Sequence, residues 1–134
     1  MDWEEIEKAI VVYINTWSTT PVMWPGQSVR PTDTSWIEVH IMTESQTFVR
    51  KGDKDRGSLL IQIGIFSRSE NVYILSTLYK ALSTFLHQKD LKSTNYQIRF
   101  GEMSAEPIVW RGSDNIEKDL KYLACTTQAS IWEV

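Results

Sequence analysis

The stretch Leu59-Leu60-Ile61-Gln62-Ile63-Gly64-Ile65-Phe66 constrains this chain more than any other, because it is almost continuously apolar and rich in β-branched side chains. Such residues are stiff at χ1 and pack well on a pleated surface. A short run of them predicts a central strand covered on both faces. Upstream, Trp36-Ile37-Glu38-Val39-His40-Ile41 alternates in period two. That places Ile37, Val39 and Ile41 on one face and Trp36, Glu38 and His40 on the other, as in a half-buried strand. Gln46 to Phe48 predicts the start of a further strand, and the segment Arg50-Lys51-Gly52-Asp53-Lys54-Asp55-Arg56-Gly57 reads as a charged loop or hairpin tip.

Helical spacing flanks these strands. Trp3, Ile6, Ile10, Tyr13, Ile14 and Trp17 recur on one face of an N-terminal helix, with Asp2 and Glu5 at capping-box spacing. Ile74, Leu75, Leu78, Leu82, Phe85 and Leu86 do the same for a second, longer helix, for which Ser67 and Glu70 have the cap spacing. Between the first helix and the first strand, residues 18–34 carry three of the four prolines. Prolines remove backbone donors and fix φ, so this is a long, semi-rigid loop, and its Val22, Met23 and Trp24 mark it as a contact segment. Beyond Asp90, short strands are expected at Tyr96–Phe100 and Ile108–Trp110, then a turn at Arg111–Asn115. A last strand from about Leu120 to Ile131 should turn Leu123, Cys125, Thr127, Ala129 and Ile131 one way and Tyr122, Ala124, Thr126, Gln128 and Ser130 the other. Helix, strands, helix, strands is the order of an α+β domain: a largely antiparallel β-sheet with two main helices packed on one face. The 134 residues are read as one domain, with no repeat and no linker.

Charge and cysteine content narrow the chemistry. A formal net charge of -3 is the wrong sign for gripping nucleic acid tightly. One cysteine, Cys125, has no partner for a disulfide or a metal-binding pair, and mid-strand on the inward face it reads as a small hydrophobe. The opening Met1-Asp2-Trp3-Glu4-Glu5 is acidic where a secretion signal is basic, and no apolar run nears a membrane span, so neither export nor insertion is expected. His40 and His87 lie in different elements, outside any nucleophile or metal motif. Glu38 and His40 have the spacing of a base and its orienting carboxylate, but residues two apart on a strand share a face whatever their purpose, so a solvated sheet face explains them. Gly52 and Gly57 lack the order of a phosphate loop, and Asp53 and Asp55 lack the further ligands of a calcium loop. No catalytic, cofactor or metal site is expected, and the chain reads as a non-enzyme.

Tryptophan is what stands out, with six in a small domain. Trp3 and Trp17 lie on the helical stripe and are explained by core packing. Trp24 sits in the proline loop and Trp36 on the polar face of its strand, where a large aromatic ring calls for a covering partner. Together with Met23 and the basic tip residues Arg50, Lys51, Lys54 and Arg56, they are the expected subunit or partner interface.

The succession of Tyr13-Ile14-Asn15-Thr16-Trp17 closing a helix, a proline loop, Trp36-Ile37-Glu38-Val39, a loop closing in Arg56-Gly57-Ser58-Leu59-Leu60-Ile61-Gln62-Ile63, and the helix Val72 to Leu86 resembles the tail-terminator (minor tail protein U-like) family of long-tailed phages. The resemblance runs to about Leu86 and rests on order and hydrophobicity rather than fixed residues. Ser67-Arg68-Ser69-Glu70-Asn71 departs from it, since relatives often carry glycine or proline at that junction. The resemblance implies a virion protein at the head-proximal end of the tail, assembled in the host cytoplasm. It implies a homo-oligomeric ring, usually of six, that caps the tail tube, stops its polymerisation and meets a head-completion or neck protein. Six copies at -3 each carry -18, so DNA would pass the lumen without specific binding. A head-closure or tail-completion protein, or a monomeric binding module, are the alternatives.

Overall fold

The computed structural model describes residues 1–27, 33–47, 56–106, 109–110 and 120–134, with only the backbone described at 43–47 and 109–110. In chain order the elements are α1 (Trp3–Ile14), β1 (Val22–Met23), β2 (Ser35–Thr47), β3 (Arg56–Ser67), α2 (Ile74–Leu86), β4 (Asp90–Lys92), β5 (Tyr96–Ala105), β6 (Val109–Trp110) and β7 (Lys121–Glu133). The strands form one sheet in the order β1-β2-β3-β7-β5-β4, with β6 also on β7. Every pairing is antiparallel except β1 with β2. This is the α+β architecture that the sequence predicts.

The α1 helix starts where its cap predicts: the Asp2 carboxylate accepts the Glu5 N–H at 3.2 Å. Glu5 does not return the bond. Its carboxylate accepts from the Asn95 backbone N–H and side-chain amide, at 2.9 and 3.0 Å, tying α1 to the β4–β5 turn. Ile6, Ile10 and Ile14, one turn apart, are fully buried. The α2 helix buries Leu75, Leu78, Leu82 and Leu86 in the same way. Both helices share a single hydrophobic cluster with Ile37 and Val39 of β2, Leu59, Ile61, Ile63 and Ile65 of β3, Ile98 and Phe100 of β5 and Leu123, Cys125, Ala129 and Ile131 of β7. Two helices on one face therefore leave the opposite face of the sheet without a helix among the described residues. Tyr13 joins the helices directly, stacking on Phe85 with ring centroids 4.5 Å apart and donating its hydroxyl to the Phe85 carbonyl at 2.6 Å.

Four expectations need correction. Gln46 and Thr47 do not begin a new strand: β2 runs unbroken from Ser35 to Thr47, with a register shift between Thr43 and Ser45. A bulge absorbs one residue and lets a strand continue past a local break in its pattern. The β3 strand is central, but only one face is fully covered, since Gln62 is exposed and Leu60 half-buried on the other. The proline loop is not without structure, because Val22 and Met23 pair with Ile37 and Glu38. Finally, Ser67 and Glu70 do not cap α2, whose N-cap position is Tyr73, with no side-chain bond.

At that junction a cascade of local bonds replaces the cap. The Ser67 hydroxyl accepts the Ser69 N–H, the Ser69 hydroxyl accepts the Asn71 N–H, and the Asn71 side chain accepts the Tyr73 N–H. Short polar side chains offer the backbone such turns in competition with helix. Lys121, 3% exposed, reaches in from β7 and donates its ammonium to the Ser69 and Asn71 carbonyls at 2.6 and 2.9 Å. The β4 strand was not legible in advance. The predicted strand at 108–110 appears as β6, with Ile108 outside the described residues, as are Phe48 and the turn at 111–115.

Candidate functional site

Register decides what the helix-free face displays. Residues paired across neighbouring strands point the same way, so the pairing of β2, β3 and β7 lays side chains out in rows. The first row is Trp36, Phe66 and Tyr122, the second Glu38, Gly64 and Ala124, and the third His40, Gln62 and Thr126. Met23 extends the second row through its pairing with Glu38. Ser104 extends the third, its hydroxyl 2.9 Å from that of Thr126.

The aromatic row is a continuous stack. Trp36 lies parallel on Phe66, with centroids 5.3 Å apart and planes 3° apart, and Phe66 meets Tyr122 at 4.8 Å. The Arg68 guanidinium covers the outer side of the row, 4.7 Å from the Trp36 ring centre. Trp36 is thereby 4% exposed, although the sequence placed it on a polar face awaiting a partner. Neighbouring rings within the chain supply the cover. Its indole N–H is buried without an acceptor among the described residues.

Gly64 makes the stack possible. A Cβ there would stand 2.7 Å from Phe66 Cε2 and 3.0 Å from Tyr122 Cε2, so the rings lean over a position that only glycine leaves vacant. Beside it the surface dips into a groove of about 280 Å³, lined by Glu38, His40, Gln62, Glu106, Tyr122 and Thr126 among others. Among the described residues no hydrogen bond or ion pair engages the side chains of Glu38, His40 or Glu106. Glu38 and His40 share the face, as their spacing requires, without touching as a base and its orienter.

The other predicted interface residues lie apart. Trp24 turns toward the helices, packs on the edge of the core and donates its indole N–H to Asn15 at 2.9 Å. It opens the tight turn Trp24-Pro25-Gly26-Gln27, in which Gly26 has φ 89°. Arg56 is exposed at the opposite end of β3 from Phe66, paired with Thr47 and Trp132. Arg50, Lys51 and Lys54 lie outside the described residues. The structure thus brings Met23 and Trp36 to one face, puts Trp24 on the other, and places Arg56 at the far end of β3. Glu106, Phe66, Tyr122 and Gly64 were missed because face parity was readable strand by strand, whereas the register joining the strands was not.

Cys125 lies 2% exposed on the helix side, and burial pushes its thiol up to about 12. That is the opposite of an activated nucleophile. A larger open depression of about 600 Å³ lies between the end of α1 and α2, lined by Trp17, Ala81, Phe85 and several threonines, with Lys80 its one titratable group. Among the described residues no cluster of three metal-ligating side chains occurs, and no helix is long and apolar enough to cross a membrane.

No protein-family model matches the chain, and no curated protein matches it in sequence. Solved structures do match in fold. One, 14% identical, superposes with a TM-score of 0.71 over 98% of this chain and 96% of its own. Another, from the virion of a native gene transfer agent (GTA) particle, is 12% identical and superposes with a TM-score of 0.60, again over 98% of this chain and 96% of that one. At these identities the likeness shows a shared fold from end to end.

Proposed function

We propose that this chain is a structural subunit of a phage-like virion, and within it a tail terminator: a ring, of six copies by the family's usual number, that caps the tail tube, ends its polymerisation and offers its far surface to a head-completion or neck protein. The observation that carries the reading is the likeness to the GTA virion chain, which spans 98% of this chain and 96% of that one. The tail-terminator resemblance read from the order of elements points the same way.

The geometry supports work by fitting rather than by chemistry. A ring needs two dissimilar patches on each subunit, joined head to tail by a rotation that closes. One face of this sheet is sealed by α1 and α2, and the other is left for a partner. Met23 and Trp24, half-buried on opposite faces at the β1 edge, leave apolar surface for a neighbour to cover, whereas Trp36 is already covered within its own chain. The acidic balance of -3 per copy lets DNA slide through the ring. We assign the chain no catalytic activity.

The test is electron microscopy, with mass determination, of the protein mixed with polymerising tail-tube protein. Rings at one end of tubes of fixed length are the expected result. Bare tubes of unregulated length would refute termination and leave head closure or tail completion as the reading.

A further inference from the structure

We infer that this chain also pairs with a second copy of itself across the outer face of α2, each copy seating Val72 and Tyr73 in the depression between the other's α1 and α2. Val72 and Tyr73 are 63% and 73% exposed and stand side by side just ahead of α2. Two large apolar side chains so exposed and so close together form a knob that asks for cover, and tyrosine, a large ring with few torsions, is a common interface anchor. The depression supplies the cover. It measures about 600 Å³, with Trp17, Ala81 and Phe85 as its apolar walls.

Charge picks the occupant. Lys80 is the one titratable group lining the depression, and Glu70 stands exposed three residues before Tyr73. Among the described residues, neither side chain has an ion-pair or hydrogen-bond partner. The knob thus brings with it the carboxylate that the depression's ammonium asks for. Opposite charges on the two halves of an interface steer encounter and fix register.

A chain does not fill its own depression. Tyr73 stands eight residues before Ala81, about 12 Å along the helix axis, farther than a tyrosine side chain extends. Both patches also face one way. The Thr77 N–H bonds to the Tyr73 carbonyl at 3.0 Å, so Tyr73 keeps the helical step. Tyr73, Thr77, Lys80 and Thr84 then recur on the exposed side of α2, opposite the buried Leu75, Leu78, Leu82 and Leu86. Patches on one side of one helix meet the same neighbour, which makes the contact isologous. The two α2 helices run antiparallel, each Tyr73 beside the other's Ala81, with Thr77, midway between them, beside its own copy. Such a twofold pair differs from the head-to-tail contact of the proposed ring and stands independently of that reading.

Sedimentation equilibrium of the chain alone, from micromolar to millimolar concentration, reads the pair directly. A monomer–dimer equilibrium is expected, its dissociation constant raised by about tenfold or more in Val72→Ser/Tyr73→Ser. Glu70→Lys and Lys80→Glu should each weaken the pair, and an equal mixture of the two should restore it, because each then offers the other matched contacts. Circular dichroism establishes that the variants fold. Symmetry has its own readout. Thr77→Cys, in a chain whose native thiol at Cys125 is buried, should be joined by a short bismaleimide into a dimer linked from position 77 to position 77. A parent protein monomeric throughout, a dimer indifferent to Val72→Ser/Tyr73→Ser, or a Thr77→Cys protein left unlinked would overturn the pair. Any of these alongside rings on tail tubes would leave the terminator reading standing, and bare tubes alongside an intact pair would overturn that reading alone.

Discussion

Replacing Gly64 with alanine places a methyl group where the aromatic row already stands. Its carbon would sit 2.7 Å from Phe66 Cε2 and 3.0 Å from Tyr122 Cε2, against an ordinary carbon–carbon contact of about 3.5–4.0 Å. The Phe66 ring must give way by about 1 Å. It has little freedom to do so, lying flat on Trp36 at 5.3 Å on one side and against Tyr122 at 4.8 Å on the other. Overpacking of this kind costs about 1–3 kcal/mol. Alanine recovers about 0.4–1 kcal/mol through the stiffer unfolded chain, which leaves a net loss of about 1.3 kcal/mol at the middle of both ranges and up to about 2.6 kcal/mol. For a domain of this size that lowers Tm by about 3–8 °C. Thermal unfolding followed by circular dichroism measures the loss, and the near-ultraviolet signal of the stacked rings should fall with it. The same substitution in a Phe66→Leu background should cost less by about 1 kcal/mol, since the group it collides with is gone. A Gly64→Ala protein as stable as its parent, or an equal cost in both backgrounds, would refute the role assigned to this glycine.

Other outcomes follow from the same contacts. Cys125, pushed up to about 12 by burial, should resist alkylation at pH 8 in the folded protein and react readily once denaturant restores its ordinary value near 8.5. Because folding favours the neutral thiol, its contribution to stability is intact below about pH 8.5 and fades as pH rises from there toward 12, which urea titrations across that range would show. Lys121→Met removes the donor shared by the Ser69 and Asn71 carbonyls and should cost about 1–3 kcal/mol in denaturant unfolding. Tyr13→Phe keeps the stack on Phe85 and loses only the 2.6 Å bond to its carbonyl, so a loss of about 1 kcal/mol is expected; a loss above about 3 kcal/mol would mean the ring, not the hydroxyl, had been disturbed. Asp2→Ala should lower stability by about 1 kcal/mol through loss of the α1 cap.

How much was legible varies element by element. Ile6, Ile10 and Ile14, and Leu75, Leu78, Leu82 and Leu86, announce buried helix faces because a helix imposes its 3.6-residue period on its own sequence. The alternation of Leu123, Cys125, Thr127, Ala129 and Ile131 announces the inner face of β7 for the corresponding reason. The near-continuous apolar run of β3 misled, because it read as a strand covered on both faces although Gln62 stands exposed on one of them. The Ser67 to Asn71 segment misled because cap spacing is a local signal that turn-forming serines satisfy equally well.

The sequence by itself determined the two helices, the inward faces of β2 and β7 and therefore an α+β fold with both helices on one face of the sheet, since periodicity is written into each element separately. Only the tertiary structure decided which residue stands beside which. Trp36, Phe66 and Tyr122 are separated by 30 and 56 positions, and no local pattern relates them; antiparallel register across β2, β3 and β7 stacks them and buries a tryptophan that its own strand marked as exposed. The same register sets Glu38 beside Gly64, and the return of β5 along β7 carries Glu106 to the same groove, its N–H bonded to the Ala124 carbonyl. A strand specifies the direction of its side chains through its own backbone, but its neighbours are chosen by the packing of the whole sheet against the helices.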